Sequence, residues 1–350
     1  MGLFHCPVGA VGRGGDGCIG CGLCCATSKE ARVAATQKVR AYIRATAQRD
    51  TRLQIRKIAV CGKGGSGKST VTALLSDALS ELGYECLVID TDHSNNGLYR
   101  KLGLREEPKP VFDAEAGAVR DAAWMQAETI DFADIPEQVA PYCGTRRLLA
   151  SGKISDPLQG CACAMSTCAQ LLLQRLEPDS RQLVIADQEA GVESFGRGIE
   201  TACDTVLIVV EPSMESLELA KKIQDMAQGL GIRRVRAILN KIEDPEQAEF
   251  MIERLCENDI RYLGALESSR RWRTVNLRGE PLTAEQDDGA VYAVAKNMLD
   301  EAQMPYRKQR ERKEETYYAE YGGAKSSCRA DPWLAAAAAG RDLYAGREAV

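Results

Sequence analysis

Two kinds of residue in this sequence are placed to do chemistry: a glycine-rich loop with two lysines, and clustered cysteines. Cys61 to Thr70 reads CGKGGSGKST, and Gly62, Gly67, Lys68 and Ser69 satisfy G-x-x-x-x-G-K-[ST]. That pattern makes a loop whose backbone N–H groups cradle phosphates while its lysine reaches the β and γ oxygens and its hydroxyl holds Mg²⁺. Gly62, Gly64, Gly65, Ser66, Gly67, Lys68, Ser69 and Thr70 are therefore expected to bind ATP with Mg²⁺. Lys63 adds a second cation directly after the first glycine.

Of the 14 cysteines, eight are grouped: Cys6, Cys18, Cys21, Cys24 and Cys25 near the start, and Cys161, Cys163 and Cys168 further on. In a reducing compartment such groups point to metal rather than to a disulfide framework. Cys18-x₂-Cys21-x₂-Cys24 gives three ligands of a ferredoxin-type [4Fe–4S] cluster. Cys6 and Cys25 are the candidates for the fourth. Cys6 is favoured because it lies on a glycine-rich arm, whereas adjacent Cys24 and Cys25 would strain to reach two corners; a zinc knuckle is the alternative.

The elements that position these residues follow from hydrophobic patterning. IRKIAVCG, ECLVIDTD, RRLLASG, QLVIADQE, TVLIVVEPS, VRAILNKI and RYLGALE are short apolar runs, each expected to precede ten or more helix-favouring residues. Near-continuous apolar strands separated by helices require a parallel sheet covered on both faces. The expectation is a doubly wound, mostly parallel α/β domain over residues 54–304. It is preceded by a cysteine-rich module with a linker helix over 1–53, and followed by a helical or partly disordered extension over 305–350. The glycine loop falls at the carboxyl end of the first strand, where ligands bind in such sheets. Cys86 and Cys203 flank apolar runs and read as small buried residues.

Bulk properties narrow the partners. A net charge of −5 supplies no basic field for nucleic acid or anionic lipid. No uncharged run approaches the ~18 residues that span a bilayer, and the first residues lack a secretory pattern, so a cytoplasmic protein is expected.

With Lys63 the loop reads G-K-G-G-x-G-K-[ST], and it resembles the deviant Walker A group of P-loop (SIMIBI-type) ATPases that contains the nitrogenase iron protein and the Min and Par ATPases. The resemblance implies a nucleotide-gated homodimer in which Lys63 reaches the phosphates bound by the other subunit. It also implies roles for residues after later strands. Asp92 in DTDHSNNG matches the carboxylate that orients the attacking water, Asp187 in ADQEAGVESFGRG the aspartate that senses Mg²⁺ and the γ-phosphate, Asn240 in AILNKI the adenine-recognising amide, and Pro212 in VVEPS the base-side loop. A lone aspartate after a strand often only caps the next helix, so the joint order carries the weight.

Within that group, GCACAMSTC, DQEAGVESFGRG and TVLIVVEPSMESLELAKKI resemble the accessory ATPases of nickel carbon monoxide dehydrogenase. That family carries a C-x-C pair at its dimer face, matched by Cys161 and Cys163. Two pairs meeting on a two-fold axis would offer four thiolates to Ni²⁺ or Zn²⁺. Cys168 is open between core packing and auxiliary ligation. The resemblance implies an ATP-hydrolysing metallochaperone that loads a client metalloenzyme. His93 departs from it, standing where proline is usual, and reads as a tolerated polar neighbour, with tuning of hydrolysis or metal ligation as the alternatives. A nucleotide-gated reductase of the iron-protein type is the competing reading, disfavoured because DQEAGVESFGRG holds no cysteine. A membrane- or DNA-bound positioning ATPase is disfavoured by the acidic balance.

Overall fold

A computed structural model describes residues 55–302, apart from 95, 114–117, 120–122, 155–162, 233 and 287–288. The expected cysteine-rich module, the C-terminal extension and Cys161 lie outside the described residues. Seven strands form where the apolar runs predicted them: β1 (Lys57–Gly62), β2 (Glu85–Asp90), β6 (Arg146–Ala150), β7 (Gln182–Asp187), β8 (Thr205–Val210), β9 (Arg234–Ile242) and β10 (Arg261–Glu267). With the two-residue β5 (Tyr142–Cys143) they make one eight-stranded sheet in the order β10-β9-β8-β1-β7-β2-β6-β5. All neighbours are parallel except β5, which pairs antiparallel to β6. A separate hairpin joins β3 (Phe112–Asp113) and β4 (Ala118–Val119).

The strands alternate sides, and both sides are buried. Ala59 and Cys61 of β1 pack with Leu87 and Ile89 of β2 and Ile208 of β8 in one core, while Ile58, Val60, Val88 and Val209 point into the other. Three helices cover the first face: α3 (Cys163–Arg175), α5 (Met214–Gly229) and α6 (Pro245–Glu257), through residues such as Leu172, Ile223 and Met251. The second is covered by α1 (Lys68–Glu81), α2 (Leu98–Leu102), α7 (Arg270–Arg278) and α8 (Ala290–Ala302), through Leu74, Leu102, Trp272 and Met298. This double burial is why the strand sequences are apolar throughout rather than alternating.

Two expectations fail in detail. β7 is followed by only a five-residue helix, α4 (Glu193–Arg197), and a short 3₁₀ turn, Ile199–Ala202. Gly196 weakens helix propagation there, and Gly198, at φ 80°, ends it. Likewise β2 leads into the five-residue α2 rather than a long crossover helix. Between β2 and β6 the chain instead makes a mostly irregular excursion that packs Met125, Ile130, Phe132 and Ile135 into the first core. Among the single cysteines, Cys86 and Cys203 are buried as expected, whereas Cys256 is disulfide-bonded.

Arg147 pins the excursion to β6. Its guanidinium is buried, donating to Ala140 O at 2.9 Å, Phe132 O at 2.6 Å and Ile135 O at 2.7 Å. Tyr142 lies against it with the ring centroid 4.6 Å away. Arg147→Lys keeps the charge but lacks the planar fork that serves three carbonyls. Orphaning two of those carbonyls should cost about 2–4 kcal/mol, read as a lower urea midpoint. A midpoint unchanged in Arg147→Lys would show that the fork does not hold the excursion.

Candidate nucleotide site

The carboxyl edge of the sheet gathers the loops after β1, β2, β6, β7 and β8. The glycine loop is forced into shape by close approach. A Cβ on Gly62, at φ 150°, would stand 2.5 Å from Val209 O of β8, and one on Gly67, at φ 97°, would stand 2.3 Å from Asn240 Nδ2. Gly67 is the N-cap of α1, with no side chain capping it and no acidic residue in the first turn. The contrast with other helices is informative. α5, α6 and α7 are capped by Ser213, Asp244 and Ser269, whose side chains accept from Ser216, Gln247 and Trp272 N–H. Only α1 of these four leaves its first amides for an anion, which the helix dipole also favours.

Lys68 is buried, and its ammonium donates to Lys63 O at 3.3 Å across the loop. Ser66 N–H donates to the same carbonyl at 3.1 Å. Ser66 Oγ is buried without a partner among the described residues, an orphan polar atom inside a loop built for an anion. Asn240 Nδ2 donates to Ser66 O at 2.7 Å, so the residue expected at the adenine also ties β9 to the loop. Pro212 follows β8 one residue beyond Glu211.

Lys63 reaches Glu211 Oε1 at 3.3 Å, Ser213 Oγ at 3.4 Å and Glu215 Oε2 at 3.9 Å within its own chain. Lys241 holds the other oxygen of Glu211 at 2.7 Å and Gly65 O at 2.6 Å, from a left-handed backbone at φ 62°. Lysine contacts draw the Glu211 carboxyl below its ordinary range despite partial burial. Neither Glu211 nor Lys241 was singled out from sequence; the signal available was a charged residue directly after one apolar run, TVLIVV, and another within the last residues of VRAILNKI.

The two expected carboxylates stand side by side on β7 and after β2. Asp187 closes β7, is buried, accepts from Thr72 Oγ1 at 3.4 Å and is hydrogen-bonded by the Ser69 hydroxyl. Asp92 Oδ1 accepts from Ser94 N at 3.0 Å and Ser94 Oγ at 2.7 Å. Asp90, buried one strand over, is held by Lys153 Nζ at 2.7 Å, which also donates to Asp92 O at 2.8 Å. Lys153 was missed, although RRLLASGK places it at a strand's carboxyl end. Burial pushes Asp187 up to about 6 and Asp90 up to about 7, with Lys68 and Lys153 opposing the respective shifts. The donor set of Ser69 and a buried aspartate behind it fits Mg²⁺.

His93 is fully buried: Nδ1 bonds Gly152 O at 2.9 Å and Nε2 meets Ser166 Oγ at 3.3 Å. It is thus a built contact and not an incidental neighbour. Cys163 is exposed at the first position of α3, while Cys168 is buried with its thiol pushed up to about 12 by desolvation. Cys168 packs in the first core with Leu172 and Leu173. Among the described residues no group of three His, Cys, Asp or Glu side chains is arranged for a metal. No helix among them is long and apolar enough to cross a membrane.

Comparison with known proteins places this geometry. The model of the CobQ/CobB/MinD/ParA nucleotide-binding domain matches residues 57–282, spanning the whole edge just described. The chain belongs to that family. It is a P-loop ATPase of the MinD/ParA type, with ATP and Mg²⁺ expected for the fold. An uncharacterised ATP-binding protein of Methanocaldococcus jannaschii is 34% identical over 241 residues, covering 65% of this chain and 94% of that protein. The carbon monoxide dehydrogenase accessory protein CooC of Rhodospirillum rubrum is 33% identical over 216 residues, covering 58% of this chain and 81% of CooC. Among solved structures, the cell-division ATPase MinD of Pyrococcus furiosus superposes with a TM-score of 0.51 at 20% identity, covering 70% of this chain and 98% of MinD, a likeness of fold.

The raised pKa of Asp187 makes a prediction for this MinD/ParA-type site. A carboxyl whose pKa rises on folding, here from 3.8 to about 6, binds its proton more tightly in the folded state. Its contribution favours the fold at low pH and is lost as pH climbs through that window. Asp187→Asn should accordingly stabilise the nucleotide-free protein at pH 8 by ~1–3 kcal/mol and change little at pH 4. Thermal denaturation at the two pH values checks it, and an equal shift at both would count against the titration of Asp187.

Proposed function

We propose that this ATPase is a metallochaperone of the cytoplasm, delivering nickel to a metallocluster enzyme of the carbon monoxide dehydrogenase kind. The observation that carries the reading is Cys163. It is exposed at the start of α3, and α3 packs onto the loops of the edge that holds the phosphate loop. Similarity to CooC over 216 residues supports the client class.

In the proposed cycle Lys68 and the amides of Gly64 to Thr70 bind the ATP phosphates, and Asn240 with Pro212 receives the adenine. Mg²⁺, held by Ser69 with Asp187 behind it, would draw charge from the β and γ oxygens. Asp92 orients a water. Its oxygen bonds the γ-phosphorus as the bond to the bridging oxygen breaks, giving ADP and inorganic phosphate. Lys63 leaves Glu211 when two ATP-bound protomers meet, and offsets the negative charge gathering at the partner's phosphates. In that homodimer Cys161 and Cys163 from each protomer supply four thiolates for the metal in transit, and hydrolysis reopens the pair. Cys18, Cys21, Cys24 and Cys6 hold a [4Fe–4S] cluster.

Equilibrium dialysis with Ni²⁺ in the presence of a non-hydrolysable ATP analogue tests the cargo site. A variant lacking the first 53 residues, to remove other thiols, should bind about one Ni²⁺ per dimer, from the four-ligand count. Cys161→Ser with Cys163→Ser should abolish that binding and leave nucleotide affinity intact. Unchanged nickel stoichiometry would sink the proposal. For the N-terminal cysteines, anaerobically prepared full-length protein should be brown with iron and sulfide in equal amounts, and Cys6→Ser should lose more of the colour than Cys25→Ser. An iron-free, zinc-loaded product would favour the knuckle.

A further inference from the structure

α3 is bound to the edge loops by a chain of hydrogen bonds centred on Ser166, one turn beyond Cys163. Gly152 O can only accept, so His93 Nδ1 carries the proton in that 2.9 Å bond. Burial lowers the pKa of His93, which favours the neutral ring. Ser166 Oγ lies 3.3 Å from Nε2. The serine oxygen in turn accepts from Arg197 Nη1 at 3.4 Å. Arg197 also pairs with Glu189 and, through Nη2, with Glu193 Oε2 at 3.1 Å.

The ends of this chain lie beside the two carboxylates. His93 follows Asp92 directly, and Glu189 lies two residues beyond Asp187. A second tie lies one turn along α3, where Gln170 Nε2 donates to Gly198 O at 3.0 Å. The third loop is locked in as well. A Cβ on Gly152 would stand 2.6 Å from Met165 Cγ of α3, and Ile154 N–H donates to His93 O at 3.1 Å. The first turn of α3 is therefore tied both to the loop after β2 and to the segment after β7.

We infer that Ser166, with His93 and Arg197, is the junction that couples the nucleotide-facing loops to the position of Cys163. These are positioning residues: the geometry has them acting on a thiol through the first turn of a helix, not on the phosphates. The inference rests on Asp92 and Asp187 facing nucleotide. It does not need the metal, so absent nickel binding in the dialysis experiment would leave it standing.

The test is the iodoacetamide alkylation rate of Cys163, read by peptide mass spectrometry with and without Mg²⁺ and the ATP analogue. It is run on full-length protein diluted until light scattering gives the protomer mass in both states, so that assembly does not shield the thiol. Nucleotide should change the wild-type rate by about fivefold, the scale of one hydrogen bond. In Ser166→Ala the rate should no longer respond, while analogue affinity by calorimetry and melting temperature stay near wild type. Arg197→Gln, which cuts only the arm from the β7 side, should halve the response or more. Ser166→Thr, which keeps the hydroxyl, should restore it. A Ser166→Ala protein that binds the analogue and responds as wild type does would overturn the inference, as would a wild type that binds the analogue without any response at Cys163.

Discussion

A missing side chain at Gly62 is the constraint on which the carboxyl edge depends. Gly62 pairs with Val209 in the parallel ladder between β1 and β8, and only a residue without Cβ lets the chain leave β1 so close to Val209 O. The same residue accepts from Gly191 N–H at 3.1 Å through its own carbonyl. One glycine thus fixes the phosphate loop against β8 on one side and the segment after β7 on the other. Everything that faces nucleotide is placed relative to that point.

Electrostatics at this edge is a balance set by burial. Asp90 and Asp187 sit where strands end and water is excluded, and both are held against desolvation by a lysine: Lys153 for the first, Lys68 nearby for the second. Removing carboxylates from water is costly unless they are paired or meet a cation. The arrangement makes sense as a site tuned for an incoming cation rather than for stability of the nucleotide-free protein. Glu211 shows the complementary case, a partly exposed acid shared by Lys63 and Lys241.

The sheet was legible in sequence because strands buried on both faces must be apolar end to end, a pattern that seven runs display without ambiguity. The glycine loop was legible for a similar reason, since close backbone approach leaves glycine no substitute. Elements that escaped the reading are governed by contacts between distant segments. The excursion held by Arg147 has no period of its own, and its anchor lies on a strand 7 to 15 residues further along the chain. His93 looked incidental because its partners, Gly152 and Ser166, are 59 and 73 positions along the chain. Glu211 and Lys241 likewise acquire meaning only once β8 and β9 lie beside the loop.

The short antiparallel strand β5 has a consequence for how copies of this chain can associate. β6, buried along its whole length, would otherwise present open backbone groups at the rim of the sheet, a template for another chain to extend. Two residues of β5, running the opposite way, terminate the ladder there, and Arg147 fastens the covering segment over it. Growth of the sheet by strand addition directly against the start of β6 would have to displace β5. A copy of this chain meeting that rim would find two residues of strand and the excursion held by Arg147, and not the full length of β6.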